Sequence, residues 1–249
     1  MYKKLYSILL ISIIIGLSSA CSNHASPYPE REPTKVLRPA DLTAEELAYH
    51  EKYMQYTVDL ALANKAIFSA IIVHNNGTIV CEGINMGFKM KDNTQHAEIV
   101  VMQNCSKLYS IQNYANYSLY TTGESCVMCQ AAIMWNYFSK VIYGTSIKTL
   151  YCEKCMGQVL IDSNVINAYG VGLSDDYAPV QIYGDILANV TNTKVFLDYC
   201  TNKKVWTVTP NCTAPSSSSS SNSGSTITMN VLINALIALV AIIGFSSLL

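Results

Sequence analysis

Two short segments constrain the fold of this chain more than any other feature. They are residues 94–98, which read TQHAE, and residues 124–129, which read ESCVMC. Each segment is predicted to start a helix, with His96 at the first start and Cys126 and Cys129 at the second. Residues three apart on a helix lie near one another on one face, so the two cysteines can hold one metal ion. The fold must therefore bring together two helix N-termini, where partial positive charge favours thiolates.

A Cys-x-x-Cys pair on its own is ambiguous, since it also occurs in redox pairs and in structural zinc sites. His96, Cys126 and Cys129 together supply three zinc ligands, and the fourth tetrahedral position then stays open for water, as in catalytic zinc sites. Bound zinc lowers the pKa of that water towards about 7. Glu98 lies two residues from the histidine and is placed to transfer protons. We therefore predict a Zn²⁺ site with Glu98 as its catalytic residue.

The pattern around these segments alternates between helices and strands. Residues 43–46 read TAEE, the spacing of a capping box, and apolar residues then recur at helical intervals, which predicts a helix over 41–64. Strand patterns at 67–73 and 78–83 flank a turn at residues 75–77 and predict a hairpin. Further predicted elements are helices at 96–106 and 126–137, strands at 117–122 and 140–143, and helix within 159–168 and 180–199. This order predicts an α/β fold, a three-layer α/β/α sandwich with a mixed five-stranded sheet.

The two segments together resemble the signature of zinc nucleobase deaminases, in which His-x-Glu precedes Cys-x-x-Cys. Residues 66–145 are similar to the cytidine and deoxycytidylate deaminase superfamily, and within it to the branch of bacterial guanine deaminases and tRNA adenosine deaminases. A weaker similarity continues to Tyr199. The stretches with this resemblance are 79–85 (IVCEGIN), 96–99 (HAEI), 119–126 (LYTTGESC) and 141–144 (VIYG).

The resemblance implies the cytidine deaminase-like fold and a hydrolase activity. The implied reaction is zinc-dependent hydrolytic deamination of a nucleobase or nucleoside with release of ammonia. Guanine is the first substrate expected, followed by adenosine and cytidine types. The resemblance also implies that Asn85 contacts the base, that the backbone of Ala97 and Cys126 lines the base pocket, and that the chain forms a homodimer.

The chain departs from the family pattern at two places. The family usually has Pro where Ser125 stands, and Pro-Phe-Gly or a similar triplet where residues 67–69 read IFS. Ser also caps helices well, so the metal site is expected to persist. The departure at Ser125 motivates an alternative function, a non-catalytic, zinc-stabilised cell-surface glycoprotein that keeps a deaminase fold. Glu98 argues against this alternative, because a purely structural zinc site needs no such carboxylate.

The charge of the chain argues against a polymeric nucleic acid partner. Its 16 Lys and Arg residues and 17 Asp and Glu residues give a formal net charge of −1. Arg31 and Arg38 are the only arginines, and no run of residues forms the basic stripe that follows a phosphate backbone. The expected partner is therefore a small-molecule nucleobase or nucleoside.

The two ends of the chain predict export. Residues 1–20 combine a short basic start, a short apolar run and small residues, which is typical of a secretory signal peptide. Residues 206–228 form a Ser-rich stalk, and residues 229–249 form an apolar tail with no charged residue behind it. This pattern is typical of a GPI-attachment signal, with attachment expected at Asn222 or Ser223. A C-terminal transmembrane helix is the alternative, but no Lys or Arg closes it.

The predicted organisation follows from these signals. A linker with four prolines covers residues 21–40, and the deaminase domain covers residues 41–205. We expect the protein to pass through the secretory pathway to the outer face of the plasma membrane, with a GPI anchor as its membrane partner. The alternative is secretion.

Export would allow N-glycans and disulfides. Sequons occur at Asn76, Asn104, Asn116, Asn189 and Asn211. If Cys21 is set aside and two cysteines bind the metal, six cysteines remain, which permit 15 sets of disulfide pairings. These six are Cys81, Cys105, Cys152, Cys155, Cys200 and Cys212. We expect Cys200 to pair with Cys212, which closes a short loop. Cys152 and Cys155 either pair with each other, bind a second metal or stay reduced.

The sequence also predicts the solvent exposure of two residues outside the motif. His50 is expected on the exposed side of the first helix, and Trp135 is expected to be buried on its helix. Neither residue is predicted to take part in catalysis.

Overall fold

A computed structural model of the chain describes residues 30–174, 177–197 and 200. The predicted signal peptide, stalk, GPI-attachment residues and apolar tail lie outside the described residues, as do Asn211 and Cys212. None of the helices in the described residues combines the length and the apolar character that a bilayer span requires.

A mixed six-stranded sheet forms the centre of the fold. Its strands are β1 (Val36–Leu37), β2 (Ser69–His74), β3 (Ile79–Ile84), β4 (Tyr117–Gly123), β5 (Lys140–Thr145) and β6 (Gln181–Tyr183). They lie in the order β1-β6-β5-β4-β2-β3. β2 is antiparallel to both of its neighbours, β3 and β4, whereas β4, β5, β6 and β1 are parallel. The predicted hairpin of β2 and β3 is confirmed.

Helices cover both faces of this sheet. They are α1 (Ala44–Ala63), α2 (Gly87–Met90), α3 (Ala97–Tyr109), α4 (Val127–Trp135), α5 (Ile147–Cys152), α6 (Ser163–Asn167) and α7 (Ala188–Val190). Short 3-10 turns lie at Pro39–Asp41 and Gly170–Gly172, and a π-helical turn lies at Thr191–Val195. At the start of α1, the Thr43 hydroxyl accepts a hydrogen bond from Glu46 N–H at 3.2 Å, and the Glu46 carboxylate accepts one from Thr43 N–H at 2.9 Å. The predicted capping box is therefore confirmed.

Alternating residues of the strands build the two sides of the core. On one face, Ala70 and Ile72 of β2 pack with α3 and α4 in the larger apolar cluster. On the other face, Ile71 and Val73 pack with α1, where Met54 is fully buried. This arrangement gives the three layers of the predicted α/β/α sandwich, so the predicted fold class is confirmed.

The sheet has six strands where five were predicted. β1 lies within the segment that we interpreted as a linker, and β6 lies within the segment predicted to contain helix. These strands have two and three residues, which is too short to produce a periodic apolar pattern. They form because Val36 pairs with Ile182, and Gln181 pairs with Lys140, across large distances in the sequence.

The solvent exposure of two side chains is the reverse of what was expected. Trp135 ends α4 and is 65% exposed, so the expectation that it is buried was wrong. His50 is only 4% exposed, so its expected position on the exposed side of α1 was wrong too. His50 precedes the buried residues Tyr53 and Met54 by three and four positions, so it shares their sheet-facing side of the helix. Its Nδ1 atom lies 2.9 Å from the Tyr120 hydroxyl oxygen.

We expect His50 to make the protein less stable in mild acid. Burial lowers the pKa of His50 to about 4 from its usual 6.5, with nearby Lys140 lowering it further and Glu46 raising it. The unfolded chain therefore binds more protons than the folded one between these two values, and the free energy of unfolding falls as pH drops through that window. The loss reaches about 3 kcal/mol at pH 4. Urea denaturation at several pH values measures it, and His50→Gln should remove this part of the slope. An identical slope in the variant would contradict the assignment.

The disulfides differ from the expected pairing. Cys81 of β3 is bonded to Cys105 of α3. Cys155 is bonded to Cys200, and their Cα atoms are 5.0 Å apart, a separation that suits a disulfide. The expected Cys200–Cys212 bond is therefore wrong, and Cys155 does not pair with Cys152, which is itself disulfide-bonded. The prediction relied on proximity in the sequence, whereas the fold brings together Cys155 and Cys200, which are 45 residues apart.

Candidate active site

The three predicted ligands meet at one end of the sheet. Pairing of Ser69 with Ile84, and of Ala70 with Thr121, places the ends of β3 and β4 on either side of the start of β2, at the same edge of the sheet. The chain leaves those ends towards α3 and α4. His96 is the N-cap of α3 and Cys126 is the N-cap of α4, both with extended backbone. Local helix-start signals therefore determine where the ligands stand.

The ligand atoms are spaced as a zinc ion requires. The donor atoms of His96, Cys126 and Cys129 all lie within 4.8 Å of one another. His96 Nδ1 is 3.5 Å from the Sγ atom of each cysteine. Tetrahedral zinc with ordinary Zn–N and Zn–S bond lengths would place its nitrogen and sulfur ligands about 3.6 Å apart. The three residues thus fit zinc, and the predicted ligand set is brought together.

Cys126 and Cys129 are hydrogen-bonded to each other and differ in acidity. Cys129 donates a hydrogen bond to Cys126 and, with the neighbouring His96, lowers the pKa of the Cys126 thiol to about 4. The same hydrogen bond, together with burial, raises the pKa of Cys129. The hydrogen bond with Cys126 also raises the pKa of His96. The hydrogen bond between the two cysteines thus favours the thiolate form of Cys126, the form in which cysteine binds metal.

Glu98 lies in the first turn of α3 and is only 5% exposed. Burial raises its pKa to about 7, and the nearby Cys126 thiolate raises it further, whereas hydrogen bonds from the backbone and from Cys129 oppose the shift. A carboxyl group with a pKa near the working pH both accepts and donates a proton readily. Glu98 thus combines the position and the acidity that a proton-transfer residue needs.

A cavity of about 260 Å³ opens onto the metal cluster. Its lining residues are Ile67, Phe68, Asn85, His96, Glu98, Glu124, Cys126, Met156, Gly157 and Gln158. Asn85 therefore lies where base contact was predicted, and its Oδ1 atom accepts a hydrogen bond from Gly87 N–H at 2.9 Å. That bond fixes the orientation of the Asn85 amide. Ala97 is fully buried and is not among the lining residues.

Sequence reasoning missed six lining residues, namely Ile67, Phe68, Glu124 and the run 156–158. Glu124 stands two positions before Cys126, which was the available signal. Its carboxylate accepts three hydrogen bonds, from Ile147 N–H at 2.9 Å, Ser163 N–H at 2.9 Å and the Ser163 hydroxyl at 2.7 Å. Glu124 therefore ties the segment before Cys126 to the starts of α5 and α6. Residues 156–158 belong to no motif.

We expect Glu124→Gln to lower the free energy of unfolding by about 2 kcal/mol, because a Gln amide turns an NH₂ group towards backbone N–H donors and leaves buried groups unpaired. Ser163→Ala is the matched control. It removes one of the three hydrogen bonds without creating a donor clash, so its expected cost is about 1 kcal/mol. Urea denaturation at pH 7 compares the two. Equal stability of Glu124→Gln and wild type would contradict the bridging role.

Comparison with known proteins places the site in a family. A family model described as the cytidine and deoxycytidylate deaminase zinc-binding region matches residues 47–145, which include the three ligands and Glu98. The crystal structure of guanine deaminase from Bacillus subtilis is 33% identical, covers 42% of this chain and 68% of that chain, and has a TM-score of 0.38. This chain belongs to the cytidine and deoxycytidylate deaminase family. The resemblance drawn from the motif is thereby confirmed, and so is zinc as the family's metal.

Other members of the deaminase family match over a similar region. A tRNA-specific adenosine deaminase from Haemophilus influenzae is 36% identical over 104 residues. The match covers 39% of this chain and 59% of that protein, so the chain spans less than two thirds of that deaminase. The crystal structure of the protein NE0047 in complex with 2,6-diaminopurine is 18% identical, covers 71% of this chain and 89% of that chain, and has a TM-score of 0.50. The deaminase fold therefore extends beyond the matched zinc-binding region.

Proposed function

We propose that this chain is a hydrolase that deaminates a nucleobase or nucleoside and releases ammonia. One observation carries the proposal, namely that Glu98 lines the same cavity as the zinc ligands His96 and Cys126. A site built for stability alone would not need a buried carboxyl group with a raised pKa beside an accessible metal cluster.

Each residue of the cavity has a role in the proposed reaction. Zinc, when held by His96, Cys126 and Cys129, supplies an activated water for attack on the ring carbon that bears the amino group. Glu98 accepts a proton from that water and delivers it to the adjacent ring nitrogen, and then moves the second water proton to the amino nitrogen, which leaves as ammonia while the carbon keeps the water oxygen. Asn85 orients the base through its Nδ2 group. The carbonyl product and ammonia account for all atoms of the substrate and one water.

Guanine is the leading substrate in this proposal, with adenosine and cytidine types next. The similarity to a guanine deaminase and the purine bound in the NE0047 crystal structure support a purine. A polymeric nucleic acid is not the proposed substrate, since the net charge of −1 gives little attraction for phosphate. A homodimer is part of the proposal, and its mass in solution tests it.

Ammonia release by the purified full-length chain tests the function. The panel contains guanine, adenine, cytosine and their nucleosides, together with a tRNA anticodon stem-loop, and zinc content is measured on the same sample. Release from one small substrate supports the proposal. Ammonia release from the stem-loop alone would mean that the substrate is an RNA and not a small molecule. If zinc is bound and no compound of the panel releases ammonia, deamination of these bases is contradicted.

We propose further that the protein is exported and held on the outer face of the plasma membrane by a GPI anchor. The Cys81–Cys105 and Cys155–Cys200 disulfides support this location, because disulfides persist in oxidising compartments. Asn76 and Asn116 are exposed on adjacent loops, where glycans would leave the cavity open. Release from cells by phosphatidylinositol-specific lipase is the expected result. Retention on the cell after this treatment would favour a C-terminal transmembrane helix.

A further inference from the structure

One wall of the cavity has little secondary structure of its own. Met156, Gly157 and Gln158 line the cavity and lie between α5 and α6. The described backbone hydrogen bonds from this stretch are Met156 N–H to Leu150 O at 2.9 Å and Ile161 N–H to Val159 O at 2.8 Å. The residues that follow are exposed, with Val159 at 57%. The position of this wall therefore depends on how its two ends are attached.

The far end of the wall is attached through Glu124. Ser163 at the start of α6 donates its backbone N–H and its hydroxyl to the Glu124 carboxylate. Glu124 is buried and is followed within two residues by a metal ligand. This end is therefore fixed relative to the metal cluster.

The near end of the wall is attached by a covalent bond. Cys155 directly precedes Met156 and is bonded to Cys200. Cys200 lies four residues beyond Phe196, which is fully buried. The Phe196 ring packs against the ring of Phe68, with centroids 5.1 Å apart, and Phe68 also lines the cavity. The disulfide thus connects the wall to Cys200, four residues beyond a buried ring that packs against a lining residue of the cavity.

The packing around this connection is tight. Met156 packs against the apolar cluster that contains Phe196 and Val195. A Cβ atom on Gly123 would lie 2.8 Å from the Phe68 ring and 3.3 Å from the Phe196 ring, so the two rings sit directly on β4. Through these contacts Phe196, four residues before Cys200, has a defined place beside the cavity-lining Phe68.

We propose that the Cys155–Cys200 disulfide positions residues 156–158 as a substrate-selecting wall of the cavity. Cutting the bond weakens binding because the substrate must then order the wall, and ordering mobile side chains reduces affinity. The metal cluster and Glu98 stay in place, since α3 and α4 do not depend on this bond. This inference rests on the proposed deaminase function.

The test compares two double variants of the full-length chain that each remove one disulfide. Cys155→Ser with Cys200→Ser is expected to raise KM about tenfold, while kcat stays within about twofold and zinc content is unchanged. Cys81→Ser with Cys105→Ser is the matched control, and its KM should equal that of wild type even if its melting temperature falls. An unchanged KM in the first variant, or an equal rise in both, overturns the proposal.

A second measurement does not depend on catalysis. Hydrogen–deuterium exchange of residues 153–161 should be faster in the Cys155/Cys200 variant than in wild type and in the control. Unchanged exchange overturns the proposal even if wild type deaminates none of the tested bases, so the two failures are distinguishable. If the double variant does not fold, Gln158→Ala should still raise KM, with Leu160→Ala, which is outside the cavity lining, as its control. Equal KM values for these two variants would also overturn the proposal.

Discussion

Replacing Glu98 with glutamine is expected to lower kcat/KM for the proposed substrate about a thousandfold while the protein keeps its zinc. Proton transfer by a positioned side chain contributes factors of about a hundred to ten thousand. Glutamine has nearly the same shape as the buried Glu98 side chain, so it tests the proton rather than the packing. Steady-state ammonia release and metal analysis of the same sample measure both quantities.

The matched control for Glu98→Gln is Glu45→Gln, since Glu45 is exposed in the first turn of α1 and is not a lining residue of the cavity. This control should retain wild-type kcat/KM. A Glu98→Gln protein with more than about a tenth of wild-type turnover would mean that Glu98 does not carry the proton, because general acid–base catalysis contributes far more than this. Loss of zinc in the same variant would instead assign Glu98 a part in holding the metal site.

Replacing Cys129 with alanine is expected to abolish both zinc binding and activity. Cys129 is fully buried, and its sulfur is one of the three atoms that surround the metal position. A metal that binds only the folded chain stabilises it, so a chelator should lower the melting temperature of wild type. The Cys129→Ala variant should have this lower melting temperature without chelator, and adding chelator should not lower it further. Metal analysis and thermal melts with and without chelator provide the measurements.

Ser125→Ala provides the comparison for this variant. Ser125 is adjacent to Cys126 and 1% exposed, and its hydroxyl has no hydrogen-bond partner among the described residues. Its removal should leave zinc content and the chelator response as they are in wild type. Stoichiometric zinc in the Cys129→Ala protein would remove Cys129 from the ligand set.

The metal site was predictable from sequence because local signals place its ligands. His96 and Cys126 stand at helix starts, and the helix start is a property of a few neighbouring residues. The strands that precede and separate those helices have six or seven residues, enough for their apolar pattern to be read. Once β3 and β4 were recognised as parts of one sheet, the ligands could meet only at its end.

The remaining features depend on contacts between distant parts of the chain. β1 and β6 exist because they pair with each other and with β5, not because of a pattern within their few residues. The partner of Cys200 is 45 residues away, whereas the expected partner was chosen for its proximity in sequence. The expected exposure of His50 fails because the Tyr120 hydroxyl, 70 residues away in the sequence, provides a polar contact for it within the core. Each of these outcomes depends on tertiary structure that local patterns do not contain.

The metal cluster and the wall of the cavity come from separate stretches of the chain. The ligands and Glu98 fall within residues 96–129, whereas the disulfide-attached wall comes from residues 156–158. If the wall selects the substrate as proposed, substitutions at residues 156–158 would alter substrate choice while the metal ligands stay in place. A lineage carrying this domain could acquire a new substrate by varying a few residues of the wall, while the inherited metal chemistry remained intact.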